Sequence, residues 1–587
     1  MKGFPFVNGE EWAKRLAGGS NVTPLMNEII QAAEQYVSEP LPNLTYSLFK
    51  LYETTGDRMH YQRVYFGRRG RLSALALACL ATEEDRYTEA LSDAIWSICD
   101  EYTWCLPAHL PGGGPIAPQH HVDLFAAETA HALAEIVKLL ELRLPARVKQ
   151  RVYGEIERRV FRPVFDSDYS FFWKTSTHNW AAVCAGAVGM AAMLLIEDQD
   201  RLDGMIRQLL PVMDCFLSGY GDDGGCAEGV GYWEYGFGFY VYFADMLFIR
   251  TNGNTDLLDN EKVRAISLFP EAVHLSDSVF ANYSDAPERA HLHPGLLSRL
   301  SERLSRTTAL PYRLPGFNDD PCYRWAHLSR NLAWTKVSCF QVHFDEGATW
   351  LRDLQWMMDK RMLSGFPVAF SAKGGHNDEP HNHNDLGHFI VHAGGQNLLC
   401  DLGYGEYTKD YFGQDRYRIL NTSSGGHSVP VINGFVQAAG VSYEAAVEEK
   451  RTLEQGTVFR LDLTGAYPEE AGLTRFIRTF HWQNEPAAGL CRLTLRDEFE
   501  FREQSAIEER FVSLVRPEVT EGTAVWEAGR FRLTLKFDAA ALAPVLEKVQ
   551  YRDHGGEAVD AFLTKLSLTQ REAACTHSFE FLLTLKD

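Results

Sequence analysis

Between Gly374 and Asp385 the chain reads Gly374-Gly375-His376-Asn377-Asp378-Glu379-Pro380-His381-Asn382-His383-Asn384-Asp385, and Asp401 and His427 follow. Three histidines within eight residues, with carboxylates among them, are hard to explain by packing, since each buried imidazole or carboxylate needs a partner. In an extended segment alternate residues point the same way, which puts His381 and His383 on one face. Two adjacent imidazoles with a later Asp and a later His suit a mixed nitrogen and oxygen metal site. The bland alternative is a solvated His-rich loop.

Two further polar clusters interrupt the apolar first half. Thr175-Ser176-Thr177-His178-Asn179-Trp180 precedes an apolar helical run, Ala181–Ile196. Thr177 or Asn179 as a helix cap explains one polar residue but not the cluster. The segment from Asp222 to Gly236 holds five glycines together with Glu228, Tyr232, Trp233, Glu234 and Tyr235. Such a backbone can lie close to a ligand and present aromatics to it; a helix–helix turn with buried aromatics is the competing reading. Tyr232 reads first as a ligand contact, Tyr235 first as a buried aromatic.

The elements that must position these residues change character along the chain. Up to about residue 310 the apolar spacing is helical, as in Thr82–Ile98, Val122–Leu142, Val148–Phe161, Trp180–Ile196 and Met205–Leu217. Helices of similar length joined by short breaks predict a toroid or solenoid of antiparallel pairs over residues 1–315. Pro311, Pro315 and Pro321 punctuate a linker. Beyond it alternation predicts strands at Leu332–Phe344, Phe389–Val391, Val458–Leu463, Thr474–Trp482, Leu493–Phe501, Arg530–Phe537 and Phe579–Leu585. Residues 316–587 therefore read as stacked antiparallel sheets carrying the His-rich stretch.

With 587 residues the chain exceeds one ordinary core, and no apolar run reaches membrane-spanning length. A formal charge of −21 argues against general nucleic-acid or anionic-membrane binding. A local basic cleft can still take a polyanionic sugar; one candidate is Arg58, Arg63, Arg68, Arg69 and Arg71, whose alternative is a solvated helix face. The eleven cysteines, scattered without CxxC pairing, read as reduced core residues. The opening stretch lacks the apolar region of a secretory leader, which points to the cytoplasm; a periplasmic or secreted chain with its leader removed reads the same.

Taken together, four patches resemble the heparinase II/III-like polysaccharide lyases: His178-Asn179 at a helix start, Asp223-Gly224…Glu228-Gly229…Tyr232, His381-Asn382-His383-Asn384-Asp385, and Asp401-Leu402-Gly403 with Arg418…His427. The resemblance spans nearly the whole chain and implies an N-terminal (α/α) toroid, a C-terminal antiparallel β-sheet domain and a cleft between them. It implies that His383, Asp401 and His427 bind one divalent ion, mainly structural, with Zn2+ the best match and Mn2+ compatible. It also implies that His178 and Asn179 hold a uronate carboxylate, that Tyr232 moves the proton and that His381 faces the substrate as a second base. Related enzymes often carry Asn-His where this chain has His178-Asn179, so the division of labour within the pair stays open. Glu228, Tyr235, His376, Arg416 and Arg418 are the candidate substrate contacts, with pairing of the arginines to Asp415 or Glu406 as the alternative.

The chemistry expected is β-elimination from a glycosaminoglycan such as hyaluronan, chondroitin or heparan sulfate. It needs a neutralised carboxylate, a base for the C5 proton and an acid for the leaving oxygen. A tyrosine of lowered pKa on one sugar face and His381 on the other would supply these groups. Alginate or oligoalginate is the rival substrate. A glycoside hydrolase using Glu228 and Glu234, or a carbohydrate-binding protein without turnover, are the rival classes. The partner expected is an acidic polysaccharide, and a homo-oligomer is compatible with the sequence.

Overall fold

The computed structural model describes residues 9–18, 21–341 and 343–586. The first eight residues, part of the stretch read above for a leader, lie outside the described residues. No helix among the described residues is long and apolar enough to cross a membrane.

The first half is a toroid of packed helices. Asn179–Leu195, rich in Ala and Gly, is buried almost all round, as a helix without a polar face must be. It packs on Leu124–Leu139, Gln199–Ser218 and Gly238–Arg250. Outer helices are one-sided: Asp85–Cys99 buries Tyr87, Leu91, Ala94, Ile95 and Ile98, at helical spacing. Thr82 does not cap that helix. Its hydroxyl donates to the Ala78 carbonyl at the end of the preceding one, and the new helix begins at Asp85.

The helical region runs past residue 315. Trp325–Trp334 is a helix, so the strand expected over Leu332–Phe344 is absent and the strands of the second half begin at Gly347–Leu351. A buried network overrides the local alternation: Arg330 pairs with Glu135 at 2.7 Å, and Trp325 Nε1 donates to the same carboxylate at 3.0 Å. These bonds bolt the helix onto Leu124–Leu139. The proline-rich stretch before it is an irregular strap rather than the junction between halves.

The second half is antiparallel throughout. A five-stranded sheet runs in sequence order through Gly347–Leu351, Trp356–Leu363, Phe366–Lys373, Phe389–Ala393 and Gln396–Leu399. Its residues alternate between two cores. Trp356, Met358, Ala369 and Ile390 join the helical core, whereas Met357, Phe370, Phe389 and Val391 join the β core. The two halves thus share one apolar seam. An eight-stranded sheet centred on Leu473–Glu485, Leu490–Ser505 and Glu572–Leu585 covers the other side. A four-stranded sheet of Leu542–Arg552, Ala558–Leu568, Ile507–Ser513 and Val431–Ile432 completes the domain. All eleven cysteines are free thiols.

Candidate active site and metal centre

His383, Asp385, Asp401 and His427 are buried together, each offering a ligand atom within 4.8 Å of the others. His383 Nδ1, Asp385 Oδ2, Asp401 Oδ2 and His427 Nε2 have no hydrogen-bond partner. Orphaned buried polar atoms cost about 1–3 kcal/mol each, and four in one place suit a shared cation. The other ring nitrogens set the tautomers. His427 Nδ1 donates to the Ser423 carbonyl at 2.8 Å, and His383 Nε2 donates to Asp285 at 3.0 Å. Both lone pairs therefore face the centre. His388 is the opposite case: its Nδ1 accepts from the Ser428 N–H at 2.9 Å, so its Nε2 carries the proton and points at Asp401, 3.5 Å away. A protonated Nε2 has no lone pair to offer a cation, so His388 lies beside Asp401 without being a ligand. Asp385 is held by Lys373 at 2.6 Å through its other oxygen and stands as a fourth candidate ligand.

The residue that ties this centre to the toroid is Asp285. One carboxylate oxygen receives His383; the other receives His381 Nδ1 at 2.8 Å. Tyr411 donates to it at 2.5 Å, Tyr407 at 3.3 Å, and Arg416 reaches both oxygens at 3.1 Å. Burial alone would raise this carboxyl, but the two histidine hydrogen bonds and the Arg416 charge hold it well below the usual range. The Asp285 loop is gripped by glycines. A Cβ on Gly229 (φ +88°) would lie 2.5 Å from Ala286 Cβ, and one on Gly403 (φ +64°) 2.7 Å from the Ala286 carbonyl oxygen. His381 has a left-handed φ of +58°, a conformation that persists only where its surroundings fix it. His381 and His383 do meet one partner, but through a turn rather than through strand alternation.

The Tyr232 ring stacks on His381 with centroids 4.3 Å apart, and its hydroxyl pairs with that of Tyr407 at 2.7 Å. Tyr232 ends a short helical turn that runs into a π-helical turn, Trp233–Phe237, a distortion common at functional sites. Burial, followed by the Asp285 charge, pushes the Tyr232 phenol well above its ordinary value. The lowered pKa expected from sequence is thus reversed, because the hydroxyl is buried and the Asp285 and Glu228 carboxylates outweigh the hydrogen bond from Tyr407. The stacked rings also stand side by side rather than across a sugar.

On the toroid side the N-cap of Asn179–Leu195 is His178, which makes no side-chain cap bond, so neither Thr177 nor Asn179 occupies the cap position expected of them. The two side chains meet at 3.3 Å, and burial lowers the His178 pKa. Glu228 lies 3.6 Å from His381 Nε2. Burial raises its carboxyl, against the lowering influence of the neighbouring His381 and of the Asn179 backbone N–H.

The structure gathers Tyr232, His381, Glu228, Arg416, His383, Asp401 and His427, and brings His178 and Asn179 within electrostatic and hydrogen-bonding reach of this group. Arg416 is engaged by Asp285, not by Asp415 or Glu406. Arg418 is exposed and pairs with Asp415 at 3.0 Å. His376 pairs with Glu379 at 2.9 Å. Tyr235 donates to Glu128 under the Arg324 guanidinium, inside the helical body. Sequence reading missed Asp285, Tyr407, Tyr411 and Asp385 as site members. Tyr407 and Tyr411 follow Asp401-Leu402-Gly403 closely enough to have been suspected, whereas an Asp at Ser284-Asp285-Ala286 carries no local mark.

No family model and no curated protein matches this sequence. Solved structures do match the fold. A heparinase III structure superposes with a TM-score of 0.68 at 12% identity, over 98% of this chain and 89% of that one. A heparan sulfate lyase from Pedobacter heparinus gives 0.59 at 10% identity, over 99% and 93%. A chondroitin AC lyase from Streptomyces coelicolor A3, solved with chondroitin sulphate, gives 0.52 at 10% identity, over 98% and 82%. With its helical toroid, antiparallel β domain and seam of site residues between them, the chain has the heparinase-type polysaccharide lyase fold.

Proposed function

We propose that the protein is a polysaccharide lyase that cleaves uronate-containing glycosaminoglycans by β-elimination. The observation that carries this reading is the stacked Tyr232–His381 pair, with His381 Nδ1 fixed by Asp285. Donation from Nδ1 leaves Nε2 with the lone pair, so His381 is the base for the C5 proton. Tyr232, neutral because of its raised pKa, is the acid. As the C4–O4 bond breaks and its electron pair leaves with the oxygen, the Tyr232 proton goes to O4. The imidazolium then releases its Nε2 proton to solvent and the tyrosinate takes one up from solvent, which restores both groups. Asn179 is the better donor to the substrate carboxylate. Its Oδ1 faces His178, which leaves the amide N–H groups free, while His178 is kept neutral by burial.

Because acid and base stand on the same side, the geometry favours syn elimination. In D-glucuronate H5 and O4 lie on the same ring face; in the C5 epimer L-iduronate they lie on opposite faces. Glucuronate-containing chains are therefore the favoured substrates. The hydrolase reading is weakened because Glu234 accepts the His293 backbone N–H within the helical body, leaving Glu228 without a second catalytic carboxylate.

His383, Asp401 and His427, with Asp385, would hold a divalent ion, and the donor set fits Zn2+ best, with Mn2+ compatible. When bound, the ion supplies a fixed charge that orders the loops around His381. The test of the reading is the ultraviolet absorbance of unsaturated uronate across a panel of glucuronate, iduronate and alginate polymers. Products without that absorbance support a hydrolase, and binding without products supports a carbohydrate-binding protein.

A further inference from the structure

The arginine cluster seen in the sequence divides in the structure. Arg68 and Arg69 are buried on Glu101 at 2.7 and 2.6 Å, and Arg71 donates to the Glu39 and Pro40 carbonyls. These are structural, and buried rather than solvated. Arg63 is exposed. Arg58 is half-buried, and among the described residues it has no carboxylate at ion-pair distance; its hydrogen-bond partners are the His109 ring and the Gln62 amide. Its Nη2 lies 3.4 Å from His109 Nε2. The Gln62 amide, oriented with its oxygen toward the guanidinium, accepts at 2.8 and 2.9 Å.

This cation is held in place. His109 Nδ1 donates to Asp123 at 2.7 Å, so His109 Nε2 accepts from Arg58. Asp123 is itself fixed, accepting the Ala126 and Leu106 N–H groups at 2.8 and 3.2 Å. Arg58 also faces the reaction centre. Tyr232 and Tyr407 are within electrostatic reach, and its guanidinium lies 6.0 Å from the Phe412 ring, which packs on Tyr407. A row of rings leads away from it: His109 on Trp180 at 4.9 Å, Trp180 on Phe172 at 4.8 Å, and Phe172 beside His178 at 6.3 Å. Phe172 and Phe412 are 54% and 48% exposed, unusual for phenylalanines beside a polar cleft.

We propose that Arg58 is an anion subsite. It takes a sulfate or carboxylate on a sugar next to the cleaved uronate, with sugar rings lying along Phe172 and Trp180. A partly buried guanidinium with only neutral partners offers its remaining donors in the fork geometry that both anions match. The identity of the ligand rests on the lyase reading; the existence of the subsite is tested by binding alone.

The experiment is calorimetric titration of wild type, Arg58→Gln, Arg58→Lys and His109→Phe with three tetrasaccharides. These are an unsulfated glucuronate form, the same form sulfated on its hexosamine, and the unsulfated form with its carboxylates methyl-esterified. Melting temperatures are recorded for each variant. Arg58→Gln is expected to weaken the acidic probes at least about tenfold and leave the esterified one unchanged. Arg58→Lys is expected to recover part of the loss. His109→Phe removes the acceptor but keeps the ring packing and is expected to weaken the acidic probes a few-fold. A larger loss on the sulfated probe identifies sulfate as the anion; equal losses on both acidic probes identify carboxylate. Unchanged binding in the folded variants, losses that include the neutral probe, or wild type that binds neither acidic probe would each overturn the proposal. Wild type that binds through Arg58 yet forms no unsaturated product rejects the lyase reading and leaves the subsite standing.

Discussion

Asp285, on a toroid loop, accepts from His381 Nδ1 at 2.8 Å and is thereby the fixed support of the proposed base. The same carboxylate accepts from His383, whose other nitrogen faces the metal centre. One side chain thus sets the tautomers of both histidines across the seam between the halves. Asp285→Asn cannot accept both N–H groups as an anion and leaves Arg416 without its charge partner. Removing one partner of a buried ion pair costs about 3–5 kcal/mol. The expected outcome is a lower melting temperature, weaker metal retention and a fall in turnover. A variant that melts and retains metal like wild type would show that the contact is incidental.

Tyr232→Phe removes only the hydroxyl. Turnover should fall at least ~100-fold, with substrate affinity and melting temperature nearly unchanged. Tyr407→Phe should cost less, since it removes a hydrogen bond to the acid and not the acid itself. Initial-rate measurements on both variants check this order, and a larger loss in Tyr407→Phe would move the acid to that residue.

Metal analysis should find about one divalent ion per chain, as four convergent donors imply. His383→Ala should lose the ion and melt earlier, because an ion that binds only the folded chain stabilises it. His388→Gln should keep the ion, since a glutamine N–H can still face Asp401. Loss of the ion in His388→Gln would make His388 a ligand and reverse the tautomer assigned to it.

The β core carries a pH-dependent element away from the site. Burial lowers the pKa of His577, but Cys575 together with Glu509, whose carboxylate lies 2.8 Å from Nδ1, pushes it up to about 10 from 6.5. A folded pKa above the unfolded one gives stabilisation that is complete below about 6.5 and is lost as pH rises toward 10. The melting-temperature difference between wild type and His577→Gln should therefore shrink from pH 6.5 to pH 10. A difference that grows over that window would contradict the assignment.

Asn179→Ala should lower turnover on free uronates with little change in melting temperature, because Asn179 makes no capping bond. His178→Ala should cost less, since burial keeps His178 neutral. Turnover on free and methyl-esterified oligosaccharides, measured beside melting curves, separates a carboxylate clamp from a structural pair.

Much of this was legible in the sequence where periodicity is strong. The helix Asn179–Leu195 and strands such as Leu473–Glu485 fall where apolar spacing puts them. Trp325–Trp334 was misread because a buried Arg330–Glu135 pair, distant in sequence, decides its state. His383, Asp401 and His427 were visible as residue types that packing does not need. Asp285 was invisible because its meaning comes wholly from five partners more than ninety residues away. The Tyr232 pKa was misjudged for a related reason: sequence shows a tyrosine among polar residues but not that its near charge is Asp285.

The most direct test of lyase chemistry is ultraviolet absorbance during digestion of a glucuronate polymer, run beside an otherwise matched iduronate polymer. Elimination from one side by Tyr232 and His381 predicts a rising unsaturated-uronate signal with glucuronate, little with iduronate, and none with Tyr232→Phe. Chain cleavage without that absorbance, or equal rates on both epimers, would contradict it.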